Sequence, residues 1–268
     1  MTVVTRRPVI NPESAGLPVL ELPTALEVAL LESGSVKHWW RASQGLSADG
    51  WACWKTGAQL LIERDAMPAR QTLDAYNGKE ALIFSAATQL YGPGLFPVDS
   101  SYSMVIVGRA GPNDNAFLAG ATKAGTTNKT MLWHTGGAGD GRVGLTHEYA
   151  DNSGPQSLIA TNAGRFYAAG PMCIIGSHDP ANVNRLGLRI DGGTVFNGIS
   201  SPAGTDVFNS SPDLHIGGVN AIGSAISGAM DGGDIAEIFL LNTALHINTS
   251  LRDTIEAMIN DRYDLWDG

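Results

Sequence analysis

A length of 268 residues is enough for one large β-sandwich and does not require a second domain. Hydrophobic residues make up 43% and charged residues 16%, which argues against disorder and against a solvated helical protein. The net charge of −9 disfavours a nucleic-acid partner, and no apolar run reaches the roughly 18 residues that a membrane span needs.

The first 23 residues carry Pro8, Pro12, Pro18 and Pro23, which remove backbone donors and bias their predecessors toward extended geometry. Residues 1–23 are therefore expected to form an extended arm. Its apolar contacts are Val3, Val4, Val9, Ile10, Leu17, Val19, Leu20 and Leu22, with Arg6 and Arg7 among them. Such an arm gains order only by lying on a surface, either a partner's or its own domain's. No apolar core follows Arg6 and Arg7, so the stretch does not read as a signal peptide. The expectation is a chain made in the cytoplasm, or one exported by an unusual route.

Residues 24–268 read as one domain. Thr24 to Ser33 is expected to be a short helix: Thr24 caps it, Glu27 completes a capping box, and Leu26, Leu30 and Leu31 face the body. From Val36 the pattern changes to period two. Strands are predicted at Val36–Ala42, Gln59–Ile62, Ala81–Phe84, Tyr102–Gly108, Met131–His134, Val143–Tyr149, Gln156–Ala160 and Met172–Gly176. In Asn184–Ile190, Leu186, Leu188 and Ile190 share one face, and Asp191-Gly192-Gly193 turns the chain into Thr194–Phe196. Leu214–Gly217 and Asp234–Leu241 complete the strands, with Ala236 and Ile238 facing inward and Glu237 away. With 33 glycines and 13 prolines between them, strands at this spacing predict an antiparallel sandwich or jelly roll. Leu251, Ile255, Met258 and Ile259 then recur at helical spacing, with Ser250 and Asp253 marking the start. They predict a closing amphipathic helix over residues 249–264 that packs on the outside. Cys53 and Cys173 are expected as buried free thiols.

Three stretches carry a family resemblance. The first runs from His38-Trp39-Trp40-Arg41 through Gly45-Leu46 to Trp51 and Trp54. The second is Asn77-Gly78-Lys79-Glu80-Ala81-Leu82-Ile83-Phe84. The third joins Leu214-His215-Ile216-Gly217-Gly218 to Met230–Asn242, Ala244-Leu245 and the helix ending at Tyr263. Together they resemble the laminin-G-like, concanavalin-A-like lectin/glucanase superfamily over residues 36–265, of the kind found in phage virion proteins. The resemblance implies an all-β jelly roll. Because the superfamily holds lectins, glucanases, adhesion modules and virion components, it says less about function.

Chemistry-bearing patterns are sparse. The Glu-x-Asp-x-x-Glu strand expected of the glucanase branch is absent; Asp234-Ile235-Ala236-Glu237 comes nearest, and Glu237 reads instead as a carboxylate satisfied by loop backbone donors. Gly139 to Gly144 matches G-x-G-x-x-G formally, but the residues after it read as a strand, so it is a hairpin loop. Neither zinc spacing nor a nucleophile elbow occurs. Asn113-Asp114-Asn115, Asp140, Asp191 and Asp231 sit in Gly-rich turns; calcium is the one conceivable cofactor, although turn chemistry alone explains them. Trp133, His134 and Tyr149 are the candidates for stacking on a sugar, and the early tryptophans read as core.

The expectation from these features is a non-enzymatic structural protein of a phage particle, a capsid decoration or other virion surface protein. It would dock through its arm on virion proteins such as the major capsid protein, and form a homo-oligomer. The alternative is a carbohydrate-binding adhesion module that meets a surface glycan. A glycoside hydrolase, with Glu237 in the reaction, is third.

Overall fold

The computed structural model describes residues 22–64, 66–97, 100–112, 115–122, 129–135, 141–148, 155–160, 167–198, 212–220, 226–227 and 229–267. The expected arm lies outside the described residues except for its last two, of which Leu22 is exposed. In chain order the elements are α1 (Ala25–Glu32), β1 (Val36–Arg41), β2 (Gly50–Ala52), β3 (Gln59–Arg64), β4 (Ala69–Leu73), β5 (Lys79–Ile83), β6 (Gln89–Gly92), β7 (Tyr102–Arg109), β8 (Asn115–Thr122) and β9 (Lys129–Thr135). They continue as β10 (Val143–Glu148), β11 (Pro155–Ala160), β12 (Met172–His178), β13 (Leu186–Ile190), β14 (Phe196–Gly198), β15 (Leu214–Ile216), β16 (Val219–Asn220), β17 (Ile226–Ser227), β18 (Asp234–Leu241) and α2 (Thr249–Tyr263). Every pairing among them is antiparallel.

Two eight-stranded sheets make the sandwich. The first runs β14-β13-β12-β7-β18-β5-β4, with β1 also paired to β18; the second runs β11-β10-β9-β8-β15-β6-β3-β2. Period-two alternation builds two cores from one set of strands. Trp40, Met104, Ile106, Ile174, Leu188 and Ile238 meet Leu60, Leu132, Leu145 and Ile216 between the sheets. The alternate residues Trp39, Val105, Val107, Ile175 and Phe239 point the other way and are covered by Leu30 of α1 and by Ile255, Met258, Ile259 and Tyr263 of α2. The molecule is thus layered helix, sheet, sheet. Adjacent Trp39 and Trp40 sit in different cores because neighbouring strand residues face opposite sides.

The centre of the helical side is a buried ion network. Glu237 Oε1 accepts from Trp39 Nε1 at 2.5 Å and from Arg41 Nε at 2.9 Å. Arg41 Nη2 reaches Glu27 Oε1 of α1 at 2.6 Å, and its guanidinium lies over Trp39 and Trp54. Glu27 Oε2 also accepts from Thr24 N, so the predicted capping box and the ion network share one side chain. Glu237 reaches this layer through a β-bulge: its register against β7 shifts between Ile235 and Glu237. The bulge sends both Ala236 and Glu237 toward the helices, while Ile238 returns to the inter-sheet core. This corrects the expectation that Ala236 and Ile238 share a face. It also corrects the expected backbone partners of Glu237, whose recorded donors are the side chains of Trp39 and Arg41.

Several boundaries differ from the sequence reading. Leu26 is 44% exposed rather than packed. Asn248, not Ser250, caps α2, accepting from Leu251 N at 3.3 Å. The return strand after Asp191 begins at Phe196, opposite Leu188, rather than at Thr194. Strands β2, β4, β6 and β8 and the short pair β16 and β17 have no counterpart in the sequence reading. In β8, Asn-Ala-Phe-Leu-Ala-Gly-Ala-Thr is dominated by small residues of low strand propensity, and in β4 the residues are mostly exposed and polar. Pairing with neighbouring strands overrides those local preferences.

Removing one member of a buried ion pair leaves the other charged and desolvated. Glu237→Ala is therefore expected to lower the unfolding free energy by about 3–5 kcal/mol, read as a fall in the urea midpoint with an unchanged slope.

Candidate functional site

The outer surface of the first sheet is occupied by α1 and α2. Among the described residues no helix covers the outer surface of the second sheet, and its side chains form a platform. The strand register places Leu61, Tyr91, His215, Gly120, Met131, Thr146 and Ser157 side by side in one row across seven strands. A second row joins Phe117, Trp133, Gly144 and Ile159. None of these residues contributes to the inter-sheet core, which takes their neighbours Leu60, Leu90, Ile216, Leu132 and Leu145.

Trp133 is the most prominent side chain on the platform. It is half-buried, and its indole lies over Gly144, where an added Cβ would come within 2.2 Å of the ring. Only the missing side chain at Gly144 lets the ring rest on the strand. Trp133 Nε1 donates to Thr146 Oγ1 at 3.1 Å, and Thr146 Oγ1 is 2.9 Å from Ser157 Oγ. The ring is thereby oriented in a polar, hydroxyl-bearing setting. Further along the same face, Glu63 Oε2 lies 3.1 Å from His215 Nδ1, and Gln89 Nε2 lies 3.2 Å from that nitrogen. The platform joins an aromatic ring to hydroxyl, amide, imidazole and carboxylate groups.

Of the three residues expected to stack on a sugar, only Trp133 is on this face. His134 follows it in β9 and therefore points inward; it is fully buried, and its Nδ1 accepts from Ala110 N at 2.9 Å. His134 is thus corrected from platform to interior. Tyr149 lies outside the described residues, as do Asn113, Asp114 and Asp140. Asp191 Oδ1 accepts from Cys173 N at 2.7 Å, and Asp231 Oδ1 accepts from Ala86 N at 3.0 Å. Both bonds tie a turn to a segment 18 or 145 positions away and are not the local bonding of an Asx turn; Asp191 does adopt the left-handed φ of +46° that its turn position favours. Among the described residues no group of three or more His, Cys, Asp and Glu side chains converges as a metal site. The G-x-G-x-x-G match leads into β10, a strand, which rules out the strand–loop–helix setting of a dinucleotide site.

The Asp234–Glu237 pair is unsuited to acid–base chemistry on a polysaccharide. Glu237 is fully buried under Trp39 and Arg41. Asp234 is held by Arg109 at 3.0 Å and by the Tyr76 hydroxyl. Burial raises the Asp234 carboxyl above the usual carboxylate range, with the Arg109 guanidinium opposing it. Both carboxylates tie the fold together and face no open cleft.

Sequence reasoning did not anticipate a histidine cluster inside the sandwich. His147 and His178 stack with centroids 4.1 Å apart and ring planes within 13°. The Tyr102 hydroxyl lies 3.0 Å from His147 Nδ1, and Thr130 Oγ1 lies 2.8 Å from it. The two histidines are 31 positions apart in sequence, so only the pairing of the sheets brings them together.

The two free thiols, both buried as expected, differ sharply. Burial alone would raise Cys53, but hydrogen bonds with His38, Thr56 and backbone amides outweigh it and lower the thiol to about 7. Burial pushes Cys173 well above the usual thiol range, reinforced by Asp191. Iodoacetamide at neutral pH is expected to label Cys53 and spare Cys173 until the protein unfolds, as read by peptide mass spectrometry. A second expectation concerns the platform. Gly144→Ala should displace the Trp133 ring and alter the near-UV circular dichroism while leaving the far-UV spectrum unchanged.

No protein-family model and no curated protein matches the chain in sequence. Similarity appears in three dimensions. Domain 4 of AbnA, a GH43 extracellular arabinanase from Geobacillus stearothermophilus solved with arabinotriose, superposes with a TM-score of 0.52 and 13% identity. That match covers 82% of this chain and 98% of that one. A mutant of the protein HCR/D gives a TM-score of 0.53 at 11% identity, over 84% of this chain and 52% of that one. The CBM40 module of the Ruminococcus gnavus IT-sialidase, solved with α2,3-sialyllactose, gives 0.48 at 15% identity over 59% of this chain and 83% of that one. Identities this low bear on fold alone. The chain is an all-β, concanavalin-type jelly-roll sandwich closed on one side by its helices.

Proposed function

We propose that the protein is a non-catalytic carbohydrate-binding module that holds a saccharide on the outer face of the second sheet, with Trp133 as the stacking residue. The observation that carries this reading is the indole resting over Gly144 in the row formed by Phe117, Trp133, Gly144 and Ile159. The apolar face of a pyranose or furanose packs on such a ring, and its hydroxyls need donors and acceptors at the ring's edge. Thr146, Ser157, and the Glu63–His215 pair further along the face, supply groups of that kind. The arabinanase domain of similar architecture was solved with a sugar bound, a precedent that supports the reading.

The virion-surface reading depends on residues 1–21, which lie outside the described residues, and no comparison favours it. A capsid partner and a homo-oligomer likewise draw no support from the described residues.

Wild-type protein screened on a glycan array is expected to bind a restricted set of saccharides. Trp133→Ala should weaken the best of them by about tenfold, the value of about 1.4 kcal/mol of lost aromatic contact. If wild-type protein binds no glycan, or if Trp133→Ala binds as tightly as wild type, the proposal fails.

A further inference from the structure

The helical side of the sandwich carries a second concave feature. α2 and the turn between β13 and β14 border a shallow, open cleft of about 540 Å³. Its aromatic wall is Trp266, which lies beyond the end of α2. The chain turns there through Asp264, whose φ is +53°. Asn260 then fixes the tail: its Oδ1 accepts from Leu265 N at 3.0 Å and from Trp266 N at 3.1 Å, while its Nδ2 donates to Trp266 O at 2.9 Å. The indole rests against Gly192, whose φ is +65° and where a Cβ would come within 2.9 Å of Trp266 Nε1. That Nε1 has no acceptor among the described residues. One side chain thus spends all its hydrogen bonds on placing a half-exposed tryptophan at the mouth of a cleft.

The facing wall is polar and ordered. Arg189 Nε binds Glu256 Oε1 at 2.6 Å, and Arg189 Nη2 donates to Gly192 O at 2.7 Å. Arg252 Nη2 holds Asp253 Oδ1 at 2.8 Å. Asp253 and Asp261 are exposed along α2. Two guanidinium groups against three carboxylates leave the wall close to neutral, so a ligand of strong charge of either sign meets repulsion as well as attraction. Alternating donors and acceptors suit vicinal hydroxyls, each of which both donates and accepts.

We propose that this cleft is a second saccharide site, separate from the Trp133 platform. A neutral sugar ring would lie against Trp266, with its hydroxyls on Asp253, Asp261 and Arg252. The inference does not rest on the platform reading. The two sites lie on opposite sides of the sandwich, so one short oligosaccharide cannot fill both. A polymer or a glycan-dense surface would be bridged and held by avidity.

The full chain labelled with 5-fluorotryptophan separates the two sites, because each of the six tryptophans gives its own fluorine NMR resonance. Trp133→Phe and Trp266→Phe assign the two signals. Arabinotriose, lactose and sialyllactose serve as titrants. The expected result is a saturable shift of the Trp266 resonance with a neutral probe, retained in Trp133→Phe. The exposed variant Asp253→Asn should weaken that shift by roughly tenfold, the loss of a charged hydrogen bond, without moving the Trp133 titration. A Trp266 signal unmoved by all three probes, or moved by sialyllactose alone, overturns the inference whatever Trp133 does. A silent Trp133 beside a responsive Trp266 overturns the platform reading and leaves the cleft standing.

Discussion

Glu237 carries a carboxylate into a layer that water does not reach, on the strand at the middle of the first sheet. An isolated charge there would be too costly to keep, so the surrounding elements are arranged to neutralise it: Arg41 from β1, the Trp39 indole beside it, and, through Arg41, Glu27 of α1. The bulge at Ala236–Glu237 makes this geometry available by turning two consecutive residues toward the same side. Because Arg41 also meets Met258 of α2, one network binds the central strand to both helices. A hydrophobic replacement of the whole network could match its stability. What the charges add are directional contacts between the central strand and both helices, at Glu27 of α1 and Met258 of α2.

That docking decides which sheet surface stays uncovered by the helices. With α1 and α2 packed on the first sheet, its outer surface becomes core, and the second sheet keeps its outer surface for side chains that no core requires. Phe117 and Trp133 are there, beside glycines that let rings rest on backbone. The same helix that closes one face opens another opportunity at its side, where Trp266 faces Arg189 and Arg252 across a cleft. Both places set an aromatic ring beside hydrogen-bonding groups: Trp133 beside Thr146 and Ser157, and Trp266 beside Arg189, Arg252 and the exposed Asp253 and Asp261.

The buried polar groups elsewhere follow the same logic of satisfaction in place. Asp234 is shared by Arg109 and Tyr76, and His147 stacks on His178 beside Tyr102. The first cluster sits on the helical side of the first sheet, where Tyr76 belongs to the core under the helices; the second joins β10 of one sheet to β7 and β12 of the other, between the sheets.

Alternation along Tyr102–Arg109, Leu186–Ile190 and Asp234–Leu241, and the helical spacing of Ile255, Met258 and Ile259, were sufficient by themselves to determine an antiparallel sandwich with an outer helix, because burial on one face imposes period two on strands and 3.6 on helices. The capping box at Thr24 and Glu27 was equally legible, being a contact across three residues. Trp133 could be named as a stacking candidate from its type. That His134 turns inward while Trp133 stays outward depended on the phase of β9, which register with β8 and β10 sets. The partners of Glu237 lie 196 and 198 positions away, and a single bulge turns Ala236 to the same side as Glu237, against the alternation. The cleft at Trp266 needs α2, a left-handed residue after it and a distant turn to converge. Such features depend on pairings between remote segments, and local sequence carries no record of them.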